Sequence, residues 1–276
     1  MKTTAYWYNQ EPNFGDMLTT DIFHKVFNIS VEHASPQKCD ICGIGSILEL
    51  FFTDSMPLKK RIKKLFEPPV IVWGSGFIKP EQNQKYIPIR KMDIRAVRGK
   101  ITLERIQKYI KTKHAVVLGD PGLLCSRIID THNINKKYEL GIIPHYVDSK
   151  NPYLNNIRVK NSVIIDIKKP VEQVLEQIAQ CRCIISSAMH GLIAADSFGI
   201  PNIRMVLSDN IVGGDYKYDD YYSAFGITNH PRIIFDKDTI ITSTDFIQNQ
   251  YKITPHMVNQ ICNNLIMSLL LNGEKK

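Results

Sequence analysis

The 276-residue chain lacks the long apolar runs that would take it across a membrane. No stretch approaches the roughly 18 consecutive apolar residues that a membrane-spanning helix needs. The first ten residues, MKTTAYWYNQ, contain neither an apolar core nor a cleavage site with small side chains, and so do not resemble a signal peptide. We therefore expect a cytoplasmic protein.

Cysteine is scarce, and its spacing excludes the common zinc frameworks. Of six cysteines, Cys39 and Cys42 form one CxxC with no second pair at zinc spacing. The others stand in apolar runs, where we expect small buried hydrophobes, at Cys125, Cys181, Cys183 and Cys262. The sequence also has no Walker loop, no HExxH and no GxSxG motif. We expect no metal and no resident cofactor.

Positive charge is in excess, since 35 Lys and Arg against 27 Asp and Glu give a net charge of +8. This favours an anionic partner. Segment 59–64 holds five basic residues beside the apolar Leu58, Leu65 and Phe66. It is either a solvated surface helix or a basic amphipathic helix in peripheral contact with an anionic membrane, and both interpretations stay open. Without a nucleic-acid recognition motif elsewhere in the chain, we expect no nucleic acid partner.

Short apolar runs alternate with helical patterns along the whole chain. Continuous apolar runs are typical of strands covered on both faces, so the pattern predicts parallel sheets and an α/β fold. The predicted strands are 3–8, 40–45, 70–74, 94–97, 115–118, 140–146, 162–167, 182–186 and 202–207. A polar stretch, 130–137, predicts two domains, 1–135 and 136–276. The second ends in a helix over 255–271, with Thr254 as its N-cap.

Polar residues follow several of these strands, where parallel sheets bind their ligands. Asp16 is either the N-cap of a helix that begins near Met17, which its position favours, or a carboxylate that accepts a proton from a sugar hydroxyl. Arg98 stands in a strand-to-helix turn, where it either binds an anion or is an exposed loop residue, and its spacing alone leaves both interpretations open. Ser187 and His190 follow the strand 182–186, in a pattern that favours a phosphorylated ligand.

Seven short segments of the chain resemble motifs of the polysaccharide pyruvyl transferase family, and they occur in the family's order. The matching pieces are Asn13–Asp16, Gly43–Ser46, Trp73–Gly76, Val97–Gly99, Leu118–Pro121, Ser186–Gly191 and Lys217 ahead of Tyr222. The resemblance implies two Rossmann-like domains facing a cleft, the glycosyltransferase-B-like arrangement. It also implies transfer of the enolpyruvyl group of phosphoenolpyruvate onto two hydroxyls of a sugar. The product is a cyclic pyruvate ketal in a capsule or other exopolysaccharide of the cell envelope, and phosphate is released.

The resemblance also implies the roles of individual residues. Arg98, His190 and Lys217 hold the phosphoenolpyruvate, with Ser187 beside them. Asn13 and Asp16 lie at the sugar acceptor. From the proton transfers that ketal formation requires, we further expect His190 to be the catalytic acid and Asp16 the catalytic base. Ala188 departs from the family, because many members have an arginine there. A lipid-linked acceptor would bring the protein to the inner face of the membrane.

A nucleotide-sugar-dependent glycosyltransferase of the same architecture is the alternative function. It would use His190 and the adjoining helix N-terminus to hold a diphosphate. The three cations, and the lack of a clear ribose-binding carboxylate in the second domain, favour the pyruvyl transferase.

Overall fold

Two parallel β-sheets, one from each half of the chain, form the framework of the protein. The computed structural model describes residues 3–11, 13–63, 66–131 and 134–270. The strands of the first half are β1 (Thr3–Tyr6), β2 (Val31–His33), β3 (Ile41–Cys42), β4 (Phe52–Thr53), β5 (Val70–Trp73), β6 (Ile87–Pro88), β7 (Met92–Val97) and β8 (Val117–Leu118). Six form a parallel sheet in the order β2-β1-β3-β5-β7-β8, and β4 pairs with β6 in an antiparallel ribbon.

The second half repeats the same pattern. Its strands are β9 (Tyr138–Ile143), β10 (Ser162–Ile164), β11 (Cys181–Ser186), β12 (Asn202–Val206) and β13 (Arg232–Ile234), in the parallel order β10-β9-β11-β12-β13. In both sheets the first strand of the half lies between the second and third, which makes a topological switch point beside it. The predicted α/β class with parallel sheets is confirmed.

Helices cover both sheets. They are α1 (Phe14–Phe27), α2 (Leu58–Lys63), α3 (Lys100–Gln107), α4 (Val171–Ala179), α5 (Met189–Ser197), α6 (Tyr216–Ser223), α7 (Asp245–Gln250) and α8 (Pro255–Leu270), with 3-10 turns at Leu48–Phe51, Pro121–Arg127, Tyr146–Asp148 and Pro152–Asn156. Helix α1 of the first half packs on α4 and α5 of the second. One apolar core, which includes Leu18 and Leu192, is therefore shared by the two halves.

The predicted strands all coincide with observed ones, but several were predicted too long at their carboxyl ends. The observed strands end at Tyr6, Cys42, Ile143 and Ile164. The apolar runs in the sequence continue beyond these ends, because Ile44, Ile165 and Ile167 are buried in the core although they lie outside the strands. The edge strands β2 and β13 escaped the sequence pattern because they are short and mostly exposed.

All six cysteines are free thiols buried in the core. The expectation for Cys125, Cys181, Cys183 and Cys262 is confirmed. Cys39 and Cys42 belong to one apolar cluster of the first half. Burial raises the thiol pKa of Cys39 to about 11, so the thiol form dominates at neutral pH.

Helix α8 ends the described part of the chain and packs against the first sheet. The hydroxyl of Thr254 accepts a hydrogen bond from the backbone N–H of Met257 (3.3 Å), which confirms the predicted N-cap. Further along, Trp73 Nε1 of β5 donates to the carbonyl oxygen of Leu265 (3.0 Å). Residue 271, where the helix was predicted to end, lies outside the described residues, as do residues 132 and 133 of the predicted linker. The division at 135/136 stays a prediction.

The basic segment begins with the short helix α2. Leu58, Ile62 and Phe66 are exposed there. Lys64 and Leu65 lie outside the described residues, as do the side chains of Lys60 and Arg61. Membrane contact through 59–64 therefore stays a prediction. Within the described residues, no helix combines the length and apolarity needed to cross a membrane.

Replacing Leu265 of α8 by Ala should reduce the free energy of unfolding by about 2–5 kcal/mol, because the leucine side chain is fully buried and its truncation leaves a cavity. Met267 of the same helix is 51% exposed and serves as the control, with an expected change for Met267→Ala within about 0.5 kcal/mol. Urea denaturation measures both. Equal effects would mean that α8 is not docked on the first sheet.

Candidate active site

A pocket of about 430 Å³ lies where the carboxyl ends of the two parallel sheets meet. Its walls come from the loops and helices that follow β1, β3, β9, β11 and β12, and so from both switch points. The polar side chains that line it are Tyr8, Asn13, Asp16, Ser46, Glu49, His145, Tyr146, His190, Asn210 and Lys217. Four of the six predicted site residues are among them: Asn13, Asp16, His190 and Lys217.

Asn13 is the N-cap of α1, so the capping role that position favoured for Asp16 is wrong. Asn13 has an extended backbone, and its Oδ1 accepts a hydrogen bond from the Asp16 backbone N–H (3.2 Å). The helix begins earlier than expected because Phe14 is buried and its N–H donates to the Ile167 carbonyl of the second half (2.8 Å). The carboxylate of Asp16 therefore does not cap the helix, and Asp16 lines the pocket.

The Asp16 carboxyl is partly buried and accepts a hydrogen bond from Asn13. Burial raises its pKa to about 6, against the opposing effects of a hydrogen bond from Asn13 Nδ2 and of the Lys217 charge. Asp16 is therefore mostly ionised at neutral pH but close to its titration range. This is the property that a general base for a hydroxyl group needs.

The ring of His190 fits between two glycines of the first half. A Cβ atom on Gly15 would lie 2.2 Å from His190 Nδ1, and one on Gly122 would lie 3.6 Å from Cδ2. The Nε2 atom is buried and has no hydrogen-bond partner among the described residues. Burial, assisted by the charges of Lys217 and Arg98, lowers the pKa of His190 to about 3. The imidazole is neutral at physiological pH.

Lys217 is the cation of the pocket. It lies in the first turn of α6, it is only 8% exposed, and no other described Lys or Arg lines this cavity. Burial lowers its pKa to about 8, and the charges of Arg98 and Arg204 act in the same direction. The ammonium form therefore predominates at neutral pH, with little water around it.

Arg98 lies behind the pocket rather than in its wall. It is fully buried and donates three hydrogen bonds, to Asp220 Oδ2 (2.8 Å), Ser46 Oγ (2.5 Å) and the Phe77 carbonyl (2.6 Å). Its charge still reaches the pocket, since it lowers the pKa of both His190 and Lys217. Direct contact with a donor stays a prediction.

Ser187 is also buried outside the pocket wall. Its Oγ accepts a hydrogen bond from the backbone N–H of His145 (2.8 Å), and its carbonyl accepts one from the Tyr218 hydroxyl (2.7 Å). Ser187 thus fixes the loop after β9. Its predicted contact with a donor stays a prediction.

Sequence reasoning missed His145 and Tyr146, which line the pocket after β9. Burial, with a contribution from the Lys217 charge, lowers the pKa of His145 to about 4. Both residues stood at the end of the strand predicted over 140–146. The switch-point rule would have found them, because β9 is the first strand of its sheet.

The fold is that of a doubly wound α/β protein with a pocket at the carboxyl ends of its strands. A sequence profile described as polysaccharide pyruvyl transferase matches residues 6–210, and the chain belongs to this family.

Two relatives extend the comparison. The chain is 25% identical over 233 residues to the succinoglycan biosynthesis protein ExoV of Rhizobium meliloti (strain 1021), an alignment that covers 82% of this chain and 66% of ExoV. It is 36% identical over 163 residues to an uncharacterized protein of Acanthamoeba polyphaga mimivirus, which covers 57% of this chain and 55% of the relative. Both alignments span less than two thirds of the relative's length.

A solved structure also resembles the chain. It is the crystal structure of an uncharacterized protein from Klebsiella pneumoniae, with a TM-score of 0.45 and 12% identity. The match covers 85% of this chain and 93% of that one.

Gly15→Ala tests the fit of the His190 ring. In the wild-type background it should reduce the free energy of unfolding by about 1–3 kcal/mol, because the new methyl group overlaps the imidazole. In a His190→Gly background, which removes both the imidazole and the His190 Cβ that would lie 2.8 Å from the new methyl group, most of this cost should be lost. Urea denaturation of the four proteins checks this difference, and an equal effect in both backgrounds would contradict it.

Proposed function

We propose that the chain is a ketal pyruvyl transferase, with phosphoenolpyruvate as donor and a sugar of a surface polysaccharide, or of its precursor, as acceptor. The observation that carries the proposal is the convergence of Asp16, His190 and Lys217 in one pocket. Family membership supports pyruvyl transfer in general, and ExoV is a protein of polysaccharide biosynthesis.

We further propose that each sheet belongs to a Rossmann-like domain and that the pocket lies in a cleft between the two domains. Two features support this glycosyltransferase-B-like arrangement. The two sheets share the same order around their first strand, and the carboxyl ends of both contribute to the pocket.

In the reaction, one sugar hydroxyl adds across the double bond of the enol phosphate, and the second displaces the phosphate. The methylene carbon gains a proton and becomes a methyl group. The central carbon forms bonds to two sugar oxygens and loses its bond to the phosphate oxygen. One hydroxyl proton ends on the methyl group and the other on the released phosphate, so that the atoms balance without a redox partner.

Lys217 and His190 are suited to the donor. The Lys217 ammonium would pair with the phosphate or the carboxylate in a site of low dielectric, where such a pair is strong. The buried Nε2 of His190 would gain a hydrogen-bond partner from the donor. A phosphate dianion beside the ring raises its pKa, so a bound donor would favour the protonated imidazolium that acid catalysis needs. Arg98 would add positive potential from behind, and would contact the donor only after leaving Asp220.

Asp16 and Asn13 are suited to the acceptor. The Asp16 carboxylate would accept the proton of an attacking hydroxyl, while Asn13 holds it in place. Tyr8 and Tyr146 of the pocket wall would offer aromatic surface to the sugar ring. The absence of a resident cofactor, the lack of a nucleic acid partner, a lipid-linked acceptor and the cytoplasmic location stay predictions.

Donor binding can be measured before the acceptor is known. At 100 times its dissociation constant, phosphoenolpyruvate should stabilise the fold by ~2.7 kcal/mol and raise the thermal midpoint. Lys217→Ala and His190→Ala should each abolish most of this shift. Lys237→Ala, at an exposed lysine, is the control and should leave it unchanged. If neither pocket variant altered the shift, the site assignment would be wrong, and a shift with nucleotide diphosphate sugars alone would favour the glycosyltransferase.

The affinity for phosphoenolpyruvate should fall as the pH rises through about 8, where Lys217 loses its charge. Lys217→Arg should move this fall to much higher pH, because arginine keeps its charge up to a pKa above about 12. Calorimetric titration from pH 6.5 to about 9.5 gives both profiles. A fall at the same pH in both proteins would assign it to another group.

A further inference from the structure

We infer that Asp220 is a positioning residue: it joins the start of α3 in the first half to α6 in the second, and so sets the place of Lys217 in the pocket. The inference rests on the proposed function only for the choice of phosphoenolpyruvate as the ligand. Asp220 does not line the pocket and would not touch the donor.

The Asp220 carboxylate is fully buried and accepts hydrogen bonds from the first half at both oxygens. Oδ1 accepts from the backbone N–H of Thr102 (2.8 Å). Oδ2 accepts from the Thr102 hydroxyl (2.7 Å) and from Arg98 Nε (2.8 Å). Two of the three donors are uncharged, so the carboxylate does more than neutralise Arg98. It also fixes the first turn of α3, where helix amides favour an anion.

The backbones of the two helices approach closely at the same place. A Cβ atom on Gly99 would lie 1.7 Å from the Asp220 carbonyl oxygen, so only glycine fits there. The Ser223 hydroxyl donates to that carbonyl (2.5 Å) and accepts from the Lys100 backbone N–H (2.8 Å). The start of α3 and the end of α6 therefore form one tight joint.

The contact between α3 and α6 is connected to one pocket residue in each half, Lys217 in the second and Ser46 in the first. Lys217 precedes Asp220 by three positions in α6, and residues three apart lie on one helix face. On the other side, Arg98 donates to Ser46, which also lines the pocket. A shift of α6 against α3 would move Lys217 relative to Ser46. Buried ion pairs contribute little net stability over apolar replacements, which favours a geometric role for this one.

Asp220→Asn tests the inference, because it keeps the shape but removes the charge and one acceptor site. Lys217 should react about tenfold faster with a pulse of acetic anhydride, read by mass spectrometry, and phosphoenolpyruvate should bind about tenfold more weakly, as expected for coupled neighbours. The matched control is Asp219→Asn, at the adjacent and 40% exposed side chain that pairs with His230. It should leave both readouts unchanged.

A second variant keeps the test decisive if Asp220→Asn does not fold. Thr102→Val removes the hydroxyl that donates to Asp220 Oδ2 but keeps the Arg98–Asp220 charge pair, so the charges around Lys217 stay the same. It should fold and show the faster labelling and the weaker binding, each to a smaller extent than Asp220→Asn. Wild-type values of both readouts in a folded variant would overturn the inference.

The two readouts separate this inference from the proposed function. Labelling of Lys217 needs no ligand, so it decides the role of Asp220 even if wild-type protein does not bind phosphoenolpyruvate. Faster labelling with unchanged phosphoenolpyruvate affinity would uphold Asp220 as the residue that places Lys217. That outcome would remove Lys217 from the donor site.

Discussion

Parallel strand pairing is the constraint on which the rest of the structure depends. In a parallel sheet every strand ends at the same edge, so the loops that leave that edge are brought together. Each half of this protein has such an edge. Helices α1 and α5 pack in a shared core, and this contact brings the two edges to one pocket. Residues as distant in sequence as Asn13 and Lys217 therefore line the same cavity.

Burial then gives these side chains their chemistry. Removal from water disfavours charge, so it raises the pKa of Asp16 and lowers those of Lys217 and His190. The pKa of the carboxyl group thereby rises towards 7 and that of the ammonium group falls towards 7, while the imidazole is uncharged at neutral pH. A site of this kind can bind an anion and exchange protons near pH 7.

The sequence was sufficient for the features that depend on local patterns. Apolar runs predicted the parallel α/β fold, the polar residues at strand ends included Asp16 and His190, and the family resemblance added Asn13 and Lys217. What could not be predicted depends on partners distant in the chain. Arg98 is held by Asp220, 122 residues further on, and nothing near either residue indicates the pair.

Local competition explains the error at the start of α1. Asn13 and Asp16 are both good N-caps by residue type. The choice between them was made by Phe14, which is buried and bonded to Ile167 of the second half. A tertiary contact therefore determines which of the two residues is the N-cap, and the local sequence alone does not.

The burial of every thiol has a consequence for how the molecule opens. Cys39 and Cys42 lie in the core of the first half, and Cys181 and Cys183 lie in strand β11 of the second sheet. Thiolates are the reactive form, and burial raises the pKa of these groups, so the folded protein resists alkylation and oxidation. Each half therefore carries its own internal reporter of local unfolding. A thiol reagent would show whether the two sheets come apart in one event or in sequence.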